Sequence, residues 1–206
     1  MDFELTQDQQ IFYDSVKRFA VNELVDGAVD RANSDGYLWD IAARFAEMGL
    51  LGITIPDAKG GIGGSLTDAV LAIQAIAEVC PRSADVVQAG NFGAIRTFAE
   101  YANADQLARF LPDLLAGKGV MSVGMSEPDA GSSVTELKTS ATPDGDDFLV
   151  NGSKVFGTNS GDAKVFLIYL RFGPGTEGIG SALIEKGTAG FEIGPGYRYM
   201  NGESWS

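Results

Sequence analysis

A change of hydrophobic period near Lys118 limits how this chain can fold more than any other feature. Before it, apolar residues recur at three and four positions, as on one face of a helix; after it they alternate or run in short blocks bounded by glycine. Helices followed by strands make an α+β chain. The expected organisation is an N-terminal all-helical domain over residues 1–118 and a small antiparallel β domain over residues 119–206.

In the helical half, Thr6 with Gln9 reads as a capping box, and Phe12, Val16, Phe19 and Ala20 predict a helix from about Gln7 into the region of Val25. A second helix is expected from Leu38 to Met48, with Trp39, Ala42, Phe45 and Ala46 on one side and Gly49 at its C-terminal end. The apolar run Leu50–Ile55 and the glycines at 60, 61, 63 and 64 then lead into a helix from Leu66 to Val79. A dinucleotide-binding turn fails there, because Leu66 stands where the third glycine of the pattern belongs. A loop that lets helices turn tightly is the better reading. Two more helices are expected between Arg82 and Leu115, the later one capped by Asn103 with Gln106 and kinked or stopped by Pro112.

In the second half, Gly119–Val123 is apolar enough for a buried strand, and Pro128 forbids its continuation through a sheet. Leu137–Thr142, Phe148–Val150 and Lys154–Phe156, separated by Asp144-Gly145 and Asn151-Gly152, read as a meander. Val165–Phe172 is continuously apolar and expected to be central, with Ala182–Glu185 and Phe191–Ile193 following as short strands. Directly after Gly119–Val123, Gly124–Ser133 reads as a polar turn following a strand. Its amides and the hydroxyls of Ser126, Ser132 and Ser133 make a neutral donor cluster, suited to a flavin edge or a pyrophosphate; the same spacing also describes an ordinary solvated turn.

Composition removes several chemistries. Lys and Arg number 15 against 28 Asp and Glu, a net charge of −13, which opposes binding to nucleic acid or an anionic membrane surface. With no histidine, a Ser-His-Asp triad and a His-ligated metal are excluded in this chain, and the single Cys80 excludes cysteine-cluster zinc sites and internal disulfides. Cys80 is expected in the core. No apolar run approaches the roughly 18 residues that span a bilayer. The acidic start Met1-Asp2-Phe3-Glu4 resembles neither a secretory signal nor a transit peptide, so a cytoplasmic location is expected.

Met125-Ser126-Glu127-Pro128-Asp129-Ala130-Gly131-Ser132 resembles the M/L-T/S-E-P-x-A-G-S flavin-binding signature of the acyl-CoA dehydrogenase family. Asn151-Gly152-Ser153-Lys154-Val155-Phe156-Gly157-Thr158-Asn159 is similar to that family's N-G-x-K-x-W-I-T-N segment, at the offset the family uses, with Phe156 in place of Trp and Gly157 in place of Ile. The segment from Gly49 to Gly64 resembles the family's G-L-x-G-I-x-x-P…G-G-x-G stretch. The resemblance runs over the whole chain and implies a helical domain followed by a middle β domain. A C-terminal four-helix bundle completes the family's architecture, and closing strands of the β domain are still expected where this chain ends at Tyr199–Ser206.

The resemblance implies FAD as cofactor, with Val123, Gly124, Met125, Ser126, Gly131 and Ser132 on one side of the flavin and Phe156, Gly157 and Thr158 on the other. Ser132 is implied to reach a bound acyl-CoA or acyl-carrier thioester as well. Phe156 keeps a stacking face but lacks the indole donor, and Gly157 opens space beside it. Gly90 and Gly93 fall where the family lines its acyl-chain tunnel; small residues there suit a substrate tail or close helix packing. The implied reaction is α,β-dehydrogenation of the thioester, with electrons passed to an electron-transfer flavoprotein, in a dimer or a homo- or hetero-tetramer. Two alternatives are a flavin monooxygenase on the same scaffold and a non-catalytic, half-size subunit. Removal of the α proton needs a carboxylate, which the family takes from its C-terminal bundle. Glu78, Glu127 and Glu136 are expected in solvated or structural roles at a helix end, a turn and a strand start, so no catalytic residue and no metal ligand is assigned.

Overall fold

A computed structural model of the protein describes residues 4–199 and 202–205; the acidic start at Met1, Asp2 and Phe3 and the closing residues Met200, Asn201 and Ser206 lie outside the described residues. The first helix forms where its cap places it. In α1 (Gln7–Glu23) the Thr6 hydroxyl accepts the Gln9 amide at 3.2 Å, and the Gln9 side chain accepts the Thr6 amide at 3.0 Å. A short helix α2 (Ala28–Ala32) and then α3 (Trp39–Glu47) follow, the latter burying Ile41, Ala42 and Phe45. Helix α4 (Leu66–Ala77) starts on a second capping box, Ser65 with Asp68, and packs against α1.

The region from Arg82 to Leu115 holds three helices where two were expected. They are α5 (Pro81–Ala89), α6 (Ala94–Tyr101) and α7 (Ala104–Leu115). The extra break lies at Gly90–Gly93. Gly93 adopts φ 63° and ψ −126°, which a residue with a side chain rarely reaches, so a continuous helix through Val86 and Phe98 is interrupted. The buried Asn91 stabilises the break by donating to the carbonyls of Leu50 and Val87, both at 2.8 Å, and accepting the Thr54 amide at 3.3 Å. Pro112 does not stop α7 early: the helix continues to Leu115, with Leu111 and Leu114 buried on either side of the proline. Phe45, Phe98, Leu24, Ile55 and Ile76 are the largest fully buried side chains of this half among the described residues.

The chain divides into two compact units, one running through Val120 and the other from Met121 to Tyr197. The second is built on a five-stranded sheet. Its strands are β1 (Met121–Gly124), β2 (Ser140–Asp144), β3 (Asp147–Asn151), β4 (Val165–Arg171) and β5 (Ile179–Glu185). Strand β4 is central, as its continuous apolar run implied. The sheet is mixed where an antiparallel one was expected: β1 lies parallel to β4, from Met121 opposite Val165 to Gly124 opposite Ile168, and Ser140 of β2 pairs in parallel with Arg171. Strands β2 and β3 form the predicted hairpin, and β5 runs antiparallel to β4. The long path from β1 to β4, with the β2–β3 hairpin inside it, allows the parallel pairing. Strand β3 is an edge with Phe148 and Leu149 exposed.

Two expected strands are absent. Lys154–Phe156 runs without strand structure, because its Val155 amide donates to Ser126 instead of closing a hairpin after Asn151-Gly152. Phe191–Ile193 is likewise irregular; the Phe191 ring covers Phe166 of β4 edge to face, with centroids 4.8 Å apart. Strands β6 (Tyr197–Tyr199) and β7 (Gly202–Trp205) pair with each other as a separate two-stranded sheet.

Candidate functional site

The candidate site is built where β1 ends. After Gly124 the chain turns tightly: the Glu127 amide donates to Ala130 at 3.1 Å and the Ala130 amide returns to Glu127 at 3.2 Å, enclosing Pro128-Asp129. Pro128 suits this corner because it lacks the amide that a sheet would require. The residues on either side of the corner, Met125 and Ser126 before it and Gly131 and Ser132 after it, are therefore presented by a short closed turn.

Glu127 is the one charged side chain of this turn that points inward. It is buried, and its carboxylate accepts three hydrogen bonds: from the Lys138 amide at 2.6 Å, the Thr139 amide at 2.9 Å and the Lys154 ammonium at 2.8 Å. Burial works to raise its pKa, but the Lys154 ammonium, Thr139 and the Lys138 amide more than reverse this and hold it at about 2. Of the solvated or structural roles expected for Glu127, the structure shows the structural one. Lys154 also donates to the Met125 carbonyl at 3.1 Å, and the Val155 amide to the Ser126 carbonyl at 2.9 Å. The second motif thus lies directly alongside the first. Gly152 makes this approach possible, since a Cβ there would fall 2.3 Å from the Thr139 hydroxyl.

Of the residues singled out from the sequence, Gly124 and Gly157 are buried, Val123, Ser126 and Thr158 half-buried, and Met125, Gly131, Ser132 and Phe156 exposed. Hydrogen bonds bring Met125 and Ser126 beside Lys154 and Val155, one residue from Phe156. Gly131 and Ser132 lie beyond the closed turn and share no hydrogen bond with 154–158 among the described residues. Phe156 has φ 59°, a left-handed backbone that is strained for an aromatic residue, and its half-exposed ring lies 6.0 Å from that of Tyr197. Ser160 supports the segment by donating to the Gly157 carbonyl. Lys154 and Glu127 were not singled out as a pair. The available signal was a lysine and a glutamate, one in each motif, both beside apolar strands.

The unspent donors suit an uncharged or anionic polar edge. Among the described residues the hydroxyls of Ser126, Ser132 and Ser133 and the amides of Gly131 and Ser132 take part in no hydrogen bond. At Gly131 even an added Cβ would meet nothing within 4 Å. A flavin's carbonyl edge or a pyrophosphate fits that donor set, and no free carboxylate within the turn opposes it.

The other candidate bases are occupied or displaced. Glu78 caps the end of α4, accepts from Lys17 and Tyr13, and is held below the usual carboxylate range chiefly by the Lys17 hydrogen bond. Glu136 sits in the 3-10 turn Val134–Glu136, since β2 begins only at Ser140. Cys80 is buried as expected but stands at the N-cap of α5, outside any helix, accepting from Arg31 at 3.4 Å and Ser83 at 3.1 Å. Among the described residues no His, Cys, Asp and Glu group is arranged to hold a metal, and no helix is long and apolar enough to cross a membrane.

Comparison with known proteins bears directly on this geometry. Residues 6–118 match the acyl-CoA dehydrogenase N-terminal domain, and residues 122–202 match the acyl-CoA dehydrogenase middle domain. The chain is 31% identical over 196 residues to the short-chain specific acyl-CoA dehydrogenase of Clostridium acetobutylicum, an alignment covering 94% of this chain and 52% of that protein. It is 32% identical over 198 residues to the acryloyl-CoA reductase (NADH) of Anaerotignum propionicum, covering 94% and 50%. The FAD complex of PigA superposes on all of this chain and 55% of its own, with a TM-score of 0.89 and 27% identity. The chain spans about half the length of the curated relatives it matches. On both of its halves, the helical one and the sheet, this chain belongs to the acyl-CoA dehydrogenase family.

Proposed function

We propose that residues 1–206 supply the flavin-facing part of a FAD-dependent enzyme acting on acyl-CoA thioesters. The observation that carries this reading is the joining of the two motifs: Lys154 and Val155 are bonded to the carbonyls of Met125 and Ser126, leaving the donors at Ser126, Gly131 and Ser132 unspent. In this reading Met125, Ser126, Gly131 and Ser132, with Val123 and Gly124 behind them, line one side of the cofactor, and Phe156, Gly157 and Thr158 the other. FAD, when bound, supplies hydride chemistry at the β carbon of the thioester. The hydroxyls and amides of the turn orient that cofactor, the exposed Phe156 ring shields it from water, and Ser132 contacts the acyl-CoA.

The bonded carboxylates among these residues supply no base, and Glu136 lies exposed in the 3-10 turn Val134–Glu136, open to water. Glu127 is spent on an ion pair and two amides, and Glu78 on Lys17 and Tyr13, so neither is available to take an α proton. This favours a second, narrower reading, in which these residues form a cradle and the base comes from elsewhere in the full polypeptide or from a partner subunit. An acyl-CoA dehydrogenase and an acryloyl-CoA reductase are both among the similar proteins, so the direction of the reaction is part of the proposal: oxidation of the saturated thioester, with an electron-transfer flavoprotein as acceptor and a dimer or tetramer as the working form.

The test is a flavin titration. Replacing Ser126 and Ser132 together by Ala removes two hydroxyls, each hydrogen bond being worth roughly 0.5–1.5 kcal/mol, so FAD affinity should fall about tenfold or more. An unchanged titration would remove this turn from the cofactor site.

A further inference from the structure

We propose that Lys154 is a positioning residue that aims the Ser126 amide, and with it the donor edge of the turn, at the flavin. This deepens the flavin reading above and rests on it. A trans peptide is planar, and its carbonyl and amide point in opposite directions. The Met125 carbonyl is drawn to the Lys154 ammonium at 3.1 Å, so the Ser126 N–H of the same peptide is turned away from Lys154. The next peptide is fixed as well: its Ser126 carbonyl accepts the Val155 amide at 2.9 Å, and its Glu127 amide is committed to Ala130 at 3.1 Å. The Ser126 N–H, by contrast, has no partner among the described residues. Of the two peptides, the one held by a side chain is the one whose amide is left available.

The charge arrangement supports a directional role over a merely cohesive one. With side chains 12% and 5% exposed, Lys154 and Glu127 are taken largely out of water, and such a pair returns its desolvation cost only if every lone pair and proton is well placed. An apolar pair of similar size would hold two segments together as well. It would not orient a carbonyl. Glu127 in turn keeps the ammonium in place: its carboxylate is fixed by the Lys138 and Thr139 amides, so Lys154 has one position from which it reaches both Glu127 and Met125.

The experiment uses the full chain as its gene encodes it, saturated with FAD, and compares the parent with Lys154→Met and Lys154→Arg. Three quantities are read: thermal stability without FAD, the visible spectrum of the bound flavin, and its two-electron reduction potential. A donor at the flavin edge favours the electron-rich reduced form, since hydrogen bonds to a charged acceptor are the stronger ones. Lys154→Met should therefore bind reduced flavin at least tenfold less well relative to oxidised, a fall in potential of about 30 mV, with a shifted visible band. Lys154→Arg, which keeps a cationic donor, should recover part of both. If Lys154→Met does not fold, Glu127→Gln/Lys154→Met removes both charges together and should show the same fall. A variant with lowered thermal stability but the parent's potential and spectrum would overturn the proposal, leaving Lys154 a purely cohesive role. If that result came with weakened FAD binding by Ser126→Ala/Ser132→Ala, the flavin site would stand and only the positioning role would fall. If the double serine variant also bound FAD normally, the flavin reading itself would fall.

Discussion

Replacing Glu127 by Gln should make the stability of this protein less dependent on pH, in a window that the structure sets. The carboxylate is held at about 2, against 4.5 for an unperturbed glutamate, by the Lys154 ammonium and by donors from Thr139 and Lys138. At about 1.4 kcal/mol per pH unit the depression corresponds to roughly 3 kcal/mol in favour of the folded state. Because the folded pKa lies below the unfolded one, that contribution is complete above about pH 4.5 and is lost as the pH falls toward 2. Glutamine cannot ionise, and its amide group would set a donor against one of the two backbone donors. At pH 7 Glu127→Gln should thus be less stable than the parent by about 3 kcal/mol, and by about pH 3 the gap should have shrunk by more than half. Urea unfolding followed by circular dichroism at pH 7, 5, 4 and 3 measures it, and taking the difference between the two proteins cancels the other carboxylates, which titrate in both. A gap that stays constant from pH 7 to pH 3 would refute the argument, because it would mean that the Glu127 charge contributes nothing that protonation removes.

Three other substitutions test separate parts of the account. Gly157→Ile should refill the space beside Phe156 and restrict bulky acyl groups in the full-length enzyme, so the ratio of kcat/KM for straight over branched thioesters should rise; an unchanged ratio would show that the space at Gly157 does not set substrate preference. Phe156→Trp should leave FAD affinity within about threefold of the parent, since a ring is retained at that position; a tenfold loss would show that the surroundings of position 156 do not admit the larger indole ring. Gly93→Ala should destabilise the helical unit by more than about 1 kcal/mol in urea, because its backbone at φ 63° and ψ −126° lies outside the ranges open to alanine, although an added Cβ would meet no neighbour within 4 Å.

What could be read from the sequence was mostly local. The caps at Thr6 and Asn103 involve residues three positions apart, and the central strand Val165–Arg171 declares itself by an unbroken apolar run, so all three are where the pattern puts them. Gly90 and Gly93 were legible as small residues within an expected helix, but that a full break forms there is tied to Asn91 reaching back to Leu50, which no local pattern contains. The parallel pairing of β1 with β4 was hidden for the same reason, as it joins Met121 to Val165 across the whole β2–β3 hairpin. At the candidate site the two motifs were visible as strings of residues, and so was the departure at Phe156. The alternation around Asn151-Gly152 suggested a third meander strand, and what overrode it was the attraction of Lys154 to a buried carboxylate and of the Val155 amide to a carbonyl of the first motif. Charge pairs between distant segments leave no periodic trace.

The central claim is that these residues form a flavin cradle without a catalytic base. Its most direct test is an anaerobic titration of the polypeptide of residues 1–206, loaded with FAD, with a series of acyl-CoA thioesters, following the flavin's visible absorption. The account predicts a bound flavin that stays oxidised with every thioester, since Glu127 and Glu78 are both committed to cations and held below the usual carboxylate range. Bleaching that depends on the thioester would contradict it, by showing that a base able to take the α proton lies within these residues.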